Sequence, residues 1–158
     1  MSWLVDVEFN SSPIEGTGVF AVRPIRAGTR LWQFDDAMHV CDAAALARLS
    51  DEDLAFALHG GYLHGPSDLF LWYRDGMQFM NHAPGRAANV GLGFWPELRQ
   101  DHCVALRDIA AGEELFEDYT FWSCAGLEPG HWLHPFYMRG GRRHHRFLKS
   151  LRTERVAA

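Results

Sequence analysis

Two short stretches hold the side chains best suited to chemistry. In Phe79-Met80-Asn81-His82-Ala83-Pro84 a polar pair sits among apolar neighbours. In Gly112-Glu113-Glu114-Leu115-Phe116-Glu117-Asp118-Tyr119-Thr120-Phe121-Trp122 several carboxylates and a phenol share an otherwise strand-like run. Asn81 offers one acceptor and two donors on a short side chain, enough to read both the amino and the carboxylate ends of an amino-acid-like ligand. His82 adds ring or main-chain hydrogen bonds. The Tyr119 phenol can orient an incoming amine while its oxygen favours a positive charge nearby. Each also has a purely structural alternative: Asn81-His82 can cap the turn before Pro84, and Tyr119 can be a buried tyrosine at a strand end.

A third stretch, Gly16-Thr17-Gly18-Val19, lets the backbone approach a bound molecule and adopt positive φ, which a side chain would hinder. A plain hairpin turn fits the same residues. With Val19-Phe20-Ala21 and Ile25-Arg26-Ala27-Gly28-Thr29 following, the order and wording of all these segments resembles the SET-domain protein-lysine methyltransferases along most of the chain.

That resemblance implies a fold and a set of roles. The fold is mainly β with helical inserts, the SET β-clip, in which the Asn-His and Asp-Tyr segments meet at a knot-like crossing. The implied methyl donor is S-adenosyl-L-methionine, held by the turn Gly16, Thr17, Gly18 and Val19 and by Phe79, Asn81 and His82; Trp122 can cover the adenine face or pack the core. The implied reaction is direct transfer from sulfur to a neutral lysine amine, with Tyr119 at the reacting atoms. Tyr62, in a Gly-Tyr-Leu phrase similar to the His-Tyr-x-Leu of some relatives, is a candidate for the channel wall. Trp132 and Phe136 can cover the adenine face or simply pack the core.

The chain also departs from the family. Gln78 stands where Arg is usual before Phe79, Ala83 replaces the Ser after His82, and the stretch from His82 to Asn89 is longer than usual. Ala83 forgoes one hydroxyl contact, worth about 1 kcal/mol net. Glu117 occupies a position where relatives carry Phe or Tyr. If Glu114 to Tyr119 is one strand, Glu117 and Tyr119 share a face, which would put Glu117 at the amine channel as a holder of the lysine ammonium. An outward-facing glutamate is the alternative. These departures leave two function classes open: an active lysine methyltransferase, and a SET-fold binding module that has lost turnover.

The elements that must position these residues follow from pattern. Trp3, Val5, Val7 and Phe9 alternate with polar residues as on a half-buried strand. Val19 to Val22, Leu31 to Phe34, Leu69 to Tyr73, Asn89 to Trp95, His102 to Arg107 and Glu114 to Tyr119 read as further strands bounded by Gly and Pro. Asp42 to Leu58 is helical, with Ser50 and Asp53 as a capping-box-like start and Gly60-Gly61 as the stop. The expected organisation is a SET domain over 1–124 and a C-terminal segment over 125–158, aromatic, then basic and helical. Relatives often end in a cysteine-rich zinc segment. Here Cys124 stands alone, so Trp132 to Tyr137 or a second subunit, as in a homodimer, is the expected cover of the lysine channel.

Composition narrows the classes. At 158 residues and 47% hydrophobic the chain can bury a core of its own. No apolar run reaches the ~18 residues that a membrane span needs, and the start lacks signal-peptide order. The expectation is therefore a cytoplasmic or nuclear protein. Three cysteines form neither a disulfide framework nor a zinc knuckle. A metal site from Cys124, His131 and His134, with His144 or His145, matches no strong spacing, and none is expected. Net charge is −5, yet residues 139–155 hold seven Lys/Arg and one acid. The acidic remainder suits a basic, lysine-bearing protein or peptide. The basic tail could touch nucleic acid, or be a solvated helix packed through Phe147, Leu148 and Leu151.

Overall fold

The computed structural model describes residues 2–35, 38–95 and 100–157. In chain order its strands are β1 (Val7–Ser11), β2 (Thr17–Ala21), β3 (Arg30–Gln33), β4 (His39–Cys41), β5 (Tyr62–His64), β6 (Leu69–Trp72), β7 (Asn81–His82), β8 (Val90–Trp95), β9 (Gln100–Ala105) and β10 (Glu114–Glu117). The helices are α1 (Ala43–Ala47), α2 (Asp51–Gly60), α3 (His134–Gly140) and α4 (Arg142–Ala157). Two compact units result, each built from two separated stretches: 1–38 with 74–119, and 39–73 with 120–158.

The first unit is a sheet ordered β1-β2-β10-β8-β9-β3, with β7 paired to β10. Its strands exist because Val19, Ala21, Leu31, Met80, Val90, Ala105 and Leu115 all lose nearly all their exposure within it. Each large apolar side chain so buried contributes about 1.5–3 kcal/mol. The short β10 is the organiser. It runs antiparallel to β2, with Glu114 opposite Phe20, and parallel to both β7 and β8, with Phe116 opposite Asn81 and Glu117 opposite both His82 and Val90. Asn89 locks this arrangement from a fully buried position. Its amide donates to the Glu114 carbonyl at 2.8 Å and accepts from Phe116 N at 2.8 Å.

The second unit combines a three-stranded sheet, β4-β6-β5, with all four helices. Ser50 caps α2 by accepting from Asp53 N at 3.1 Å, and Asp42 caps α1 by accepting from Ala45 N at 2.8 Å. The predicted helical stretch 42–58 is thus two helices, the second starting at the expected cap and running to Gly60. Leu46, Leu54, Leu58, Phe70, Leu127, Leu133 and Tyr137 form its core. Trp132, Phe136 and Leu148 pack against that core, so packing is the observed role of these two aromatics. Phe147 is 40% exposed, which corrects the expectation that it packs like Leu148.

The opening strand needs correction too. Trp3, Val5 and Val7 are half-buried and alternate with exposed Leu4, Asp6 and Glu8, as predicted, but regular pairing begins only at Val7. Trp3 makes a single bridge to Trp32. Phe9 is 43% exposed: its ring lies over the Cα of Gly76 and meets Phe79 edge-on, with centroids 5.9 Å apart. Among the described residues, no helix is long and apolar enough to cross a membrane.

Candidate functional site

The first unit brings together Gly16, Thr17, Gly18, Val19, Asn81, His82, Glu117 and Tyr119. Gly16 takes φ +54° at the tip of the β1–β2 hairpin. Gly18 needs glycine for a different reason than the predicted positive φ: a Cβ there would overlap the Glu114 carboxylate. Thr17 presents its carbonyl to the Asn81 amide at 3.4 Å, and Glu15 does the same at 3.2 Å. Val19, fully buried on β2, pairs with Leu115 and so anchors the hairpin to β10. Phe79 closes a 3-10 turn over Met77–Phe79 and is 37% exposed.

Asn81 and His82 form β7, hydrogen-bonded alongside β10. The Asn81 NH2 group has Glu114 Oε1 at 2.9 Å as its nearest acceptor. With the two hairpin carbonyls also accepting, both of its protons are committed and the amide oxygen remains as the acceptor. The His82 ring accepts at Nδ1 from Tyr119 N at 3.1 Å, which leaves Nε2 as its N–H donor in the neutral ring. Asp118, buried, lies 4.0 Å from the same Nδ1 and accepts from Gly85 N at 3.0 Å.

These bonds end the strand early. β10 stops at Glu117, Asp118 turns to cap Gly85, and Tyr119 begins a 3-10 turn. Glu117 and Tyr119 are therefore not on one strand face, and the alternation argument for Glu117 lapses. Glu117 is nevertheless electrically close. Burial, reinforced by the negative charges of Glu117 and Glu15, pushes the Tyr119 phenol well above the ordinary tyrosine range. Its hydroxyl donates to the Met80 carbonyl at 2.6 Å, which fixes the direction of the phenol proton.

Tyr62 and Trp122 belong to the second unit. Tyr62, on β5, lies against Trp122 with ring centroids 3.7 Å apart. Among the described residues no group of three or more His, Cys, Asp or Glu is placed to hold a metal. His131 Nε2 instead donates to Asp68 at 2.9 Å, its Nδ1 accepting from Leu133 N, and His145 Nε2 donates to the Leu127 carbonyl at 2.9 Å. Two residues absent from the predicted site touch it: Glu114 accepts from the Asn81 amide, and Asp118 lies beside His82. Their signal in the sequence was faint: acids embedded in an apolar strand, where burial demands partners.

A family comparison matches the SET domain to residues 16–120, the stretch that carries Gly16 to Val19, Asn81, His82, Glu117 and Tyr119. The chain belongs to the SET-domain family. Among solved structures it is similar to a chain of the humanized mutant Polycomb Repressive Complex 2 of Chaetomium thermophilum bound to the inhibitor GSK126 (TM-score 0.54, 21% identity), covering 73% of this chain and 15% of that one. It is also similar to the Plasmodium falciparum "putative histone methyltransferase PFL0690c" (TM-score 0.50, 13% identity), covering 73% of this chain and 93% of that one. The chain thus spans about 15% of the length of the Polycomb chain that it resembles. A comparison with curated protein sequences found no match.

Proposed function

We propose that this chain is an S-adenosyl-L-methionine-dependent protein-lysine N-methyltransferase acting on a basic, histone-like protein or peptide in the cytoplasm or nucleus. The observation that carries the reading is the Tyr119 to Met80 hydrogen bond, which ties the phenol to the residue preceding Asn81. The donor set fits the cofactor: Asn81 has an acceptor oxygen left for an ammonium group, and Glu15, Glu114 and Glu117 surround the segment with negative charge that suits a cation.

When bound, the cofactor supplies an electrophilic methyl group on a positive sulfur. The chain's residues do the rest. The Gly16–Gly18 turn and Asn81 bind and orient the amino-acid end of the donor. Tyr119, protonated and held by Met80, points an oxygen lone pair at positive charge and aligns the amine. It is not the base, because its own proton is held too tightly. A free lysine amine has a pKa of about 10.4 and must lose a proton before attack, which a narrow channel promotes by disfavouring the charged form. Glu117 holds the lysine ammonium before that loss.

Support for a basic substrate comes from the acidic balance of the chain outside residues 139–155. The test is incubation with labelled S-adenosylmethionine and mixed histone or cell-extract proteins, beside Tyr119→Phe. Label transferred by the native protein and not by the variant supports the reading. Cofactor binding without transfer to any protein overturns it in favour of the binding module.

A further inference from the structure

Glu114 is buried at 6% exposure where β10 starts, and its two oxygens are divided between two partners. Oε2 accepts from the Ser12 hydroxyl at 3.0 Å, and Oε1 accepts from the Asn81 amide at 2.9 Å. Ser12 Oγ in turn accepts from Ile14 N at 3.0 Å, and Ser12 N donates to Gly16 O at 2.8 Å. Gly18 lies so close to this carboxylate that any side chain there would collide with it. Among the described residues no Lys or Arg pairs with Glu114. A buried carboxylate without a cationic partner is costly, and it persists only where its hydrogen bonds are worth more than apolar packing.

We infer that Glu114 is a positioning residue that fixes the amide orientation of Asn81, turning its oxygen outward and closing its NH2 group against the Gly16–Gly18 turn. Asn side chains have two orientations that differ only in which end donates. Here one end faces three acceptors, Glu114 Oε1 and the carbonyls of Glu15 and Thr17, and Glu114 is the nearest of them. Reversing the amide would set its oxygen against all three. The site is thereby committed to ligands that donate at this point, such as a primary ammonium group, and set against ones that present a carboxylate there. In the same contact Glu114 dictates glycine at position 18, so two features of the donor site trace to one side chain. This inference rests on the methyl-donor reading above.

The experiment measures S-adenosylmethionine binding by calorimetry, together with steady-state kinetics. Glu114→Gln keeps the reach and one acceptor oxygen for Asn81, while its NH2 can donate to Ser12. Glu114→Asp keeps the charge but withdraws it by one methylene. Positioning predicts that Glu114→Gln binds within about threefold of the native chain. It predicts that Glu114→Asp weakens binding at least tenfold, raising KM for the donor while kcat at saturation holds within about twofold. In an Asn81→Ala background, Glu114→Asp should cost nothing further, because the group it orients is gone. Equal losses in the two Glu114 variants, or losses that multiply with Asn81→Ala, overturn the inference. A native chain that binds no S-adenosylmethionine overturns the function reading itself. A native chain that binds, with Glu114→Asp binding equally well, overturns the positioning role alone.

Discussion

The hydroxyl of Tyr119 reaches the main-chain carbonyl of Met80 at 2.6 Å, joining residues 39 apart in the chain at one hydrogen bond. That bond sets the rotation of the phenol and the direction of its proton. Replacing Tyr119 by Phe keeps the ring and removes the oxygen. Methyl transfer should fall roughly 100- to 1,000-fold, the scale of removing one preorganised polar group from a reacting centre. Stability should fall by only about 1 kcal/mol. Kinetics and thermal unfolding of the same preparation check both, and a variant with native turnover would remove Tyr119 from the chemistry.

Tyr119 and Tyr137 are both pushed above the usual tyrosine range, in each case first by burial. The folded value exceeds the unfolded value of about 10. Stability from these two groups is therefore complete below about pH 10 and is lost as the pH rises beyond it, since the unfolded chain releases the protons sooner. Tyr119 and Tyr137 should ionise only as the protein unfolds. An alkaline titration followed by tyrosinate absorbance and circular dichroism reads this directly. Each Tyr→Phe variant should remove one late-titrating group, and ionisation of either near pH 10 with the fold intact would contradict the expectation.

His144 behaves in the opposite sense. Burial, with a smaller contribution from His59 at 5.2 Å between ring centroids, lowers it to about 4. Its folded value lies below the ordinary 6.5 or so, so the stability it contributes is present above about pH 6.5 and is lost as the pH falls towards 4. His144→Leu should flatten the fall of Tm across that window. An unchanged acid limb would mean that His144 is charged in the folded chain.

Glu117 sits at the end of β10 and its charge is felt at Tyr119. Glu117→Gln should raise KM for a lysine peptide while leaving S-adenosylmethionine binding within about twofold. Glu117→Phe, which restores the bulk usual at this position in relatives, should shift the product towards fewer methyl groups. Mass spectrometry of a modified peptide distinguishes the outcomes. An unchanged rate and product distribution in both variants would place Glu117 outside the amine channel.

Much of this could be read from the chain because its signals are local. Ser50 announces α2 from the residue immediately before it, and the Gly60-Gly61 stop falls within a residue of the observed end. The convergence of Asn81 and Tyr119 was accessible only through the family resemblance, since no periodicity links segments so far apart. What failed, failed for long-range reasons. Glu117 and Tyr119 look like strand neighbours until Asp118 is drawn to Gly85 and Tyr119 N to His82. Phe9 reads as core until Gly76 offers it a bare backbone on which to lie. Glu114 leaves only a faint signal because Ser12 and Asn81, 102 and 33 residues away, give it meaning.

The place of β10 between β2 and β8 has a consequence for biosynthesis. The hairpin β1–β2 is complete after Ala21, yet the inner edge of β2 stays open until Glu114 and Leu115 have been translated. At about 5–20 residues per second, that interval is on the order of ten seconds. Nascent chains stalled or truncated within it would expose a bare strand flank ready to pair with a neighbour, and would be clients for chaperones.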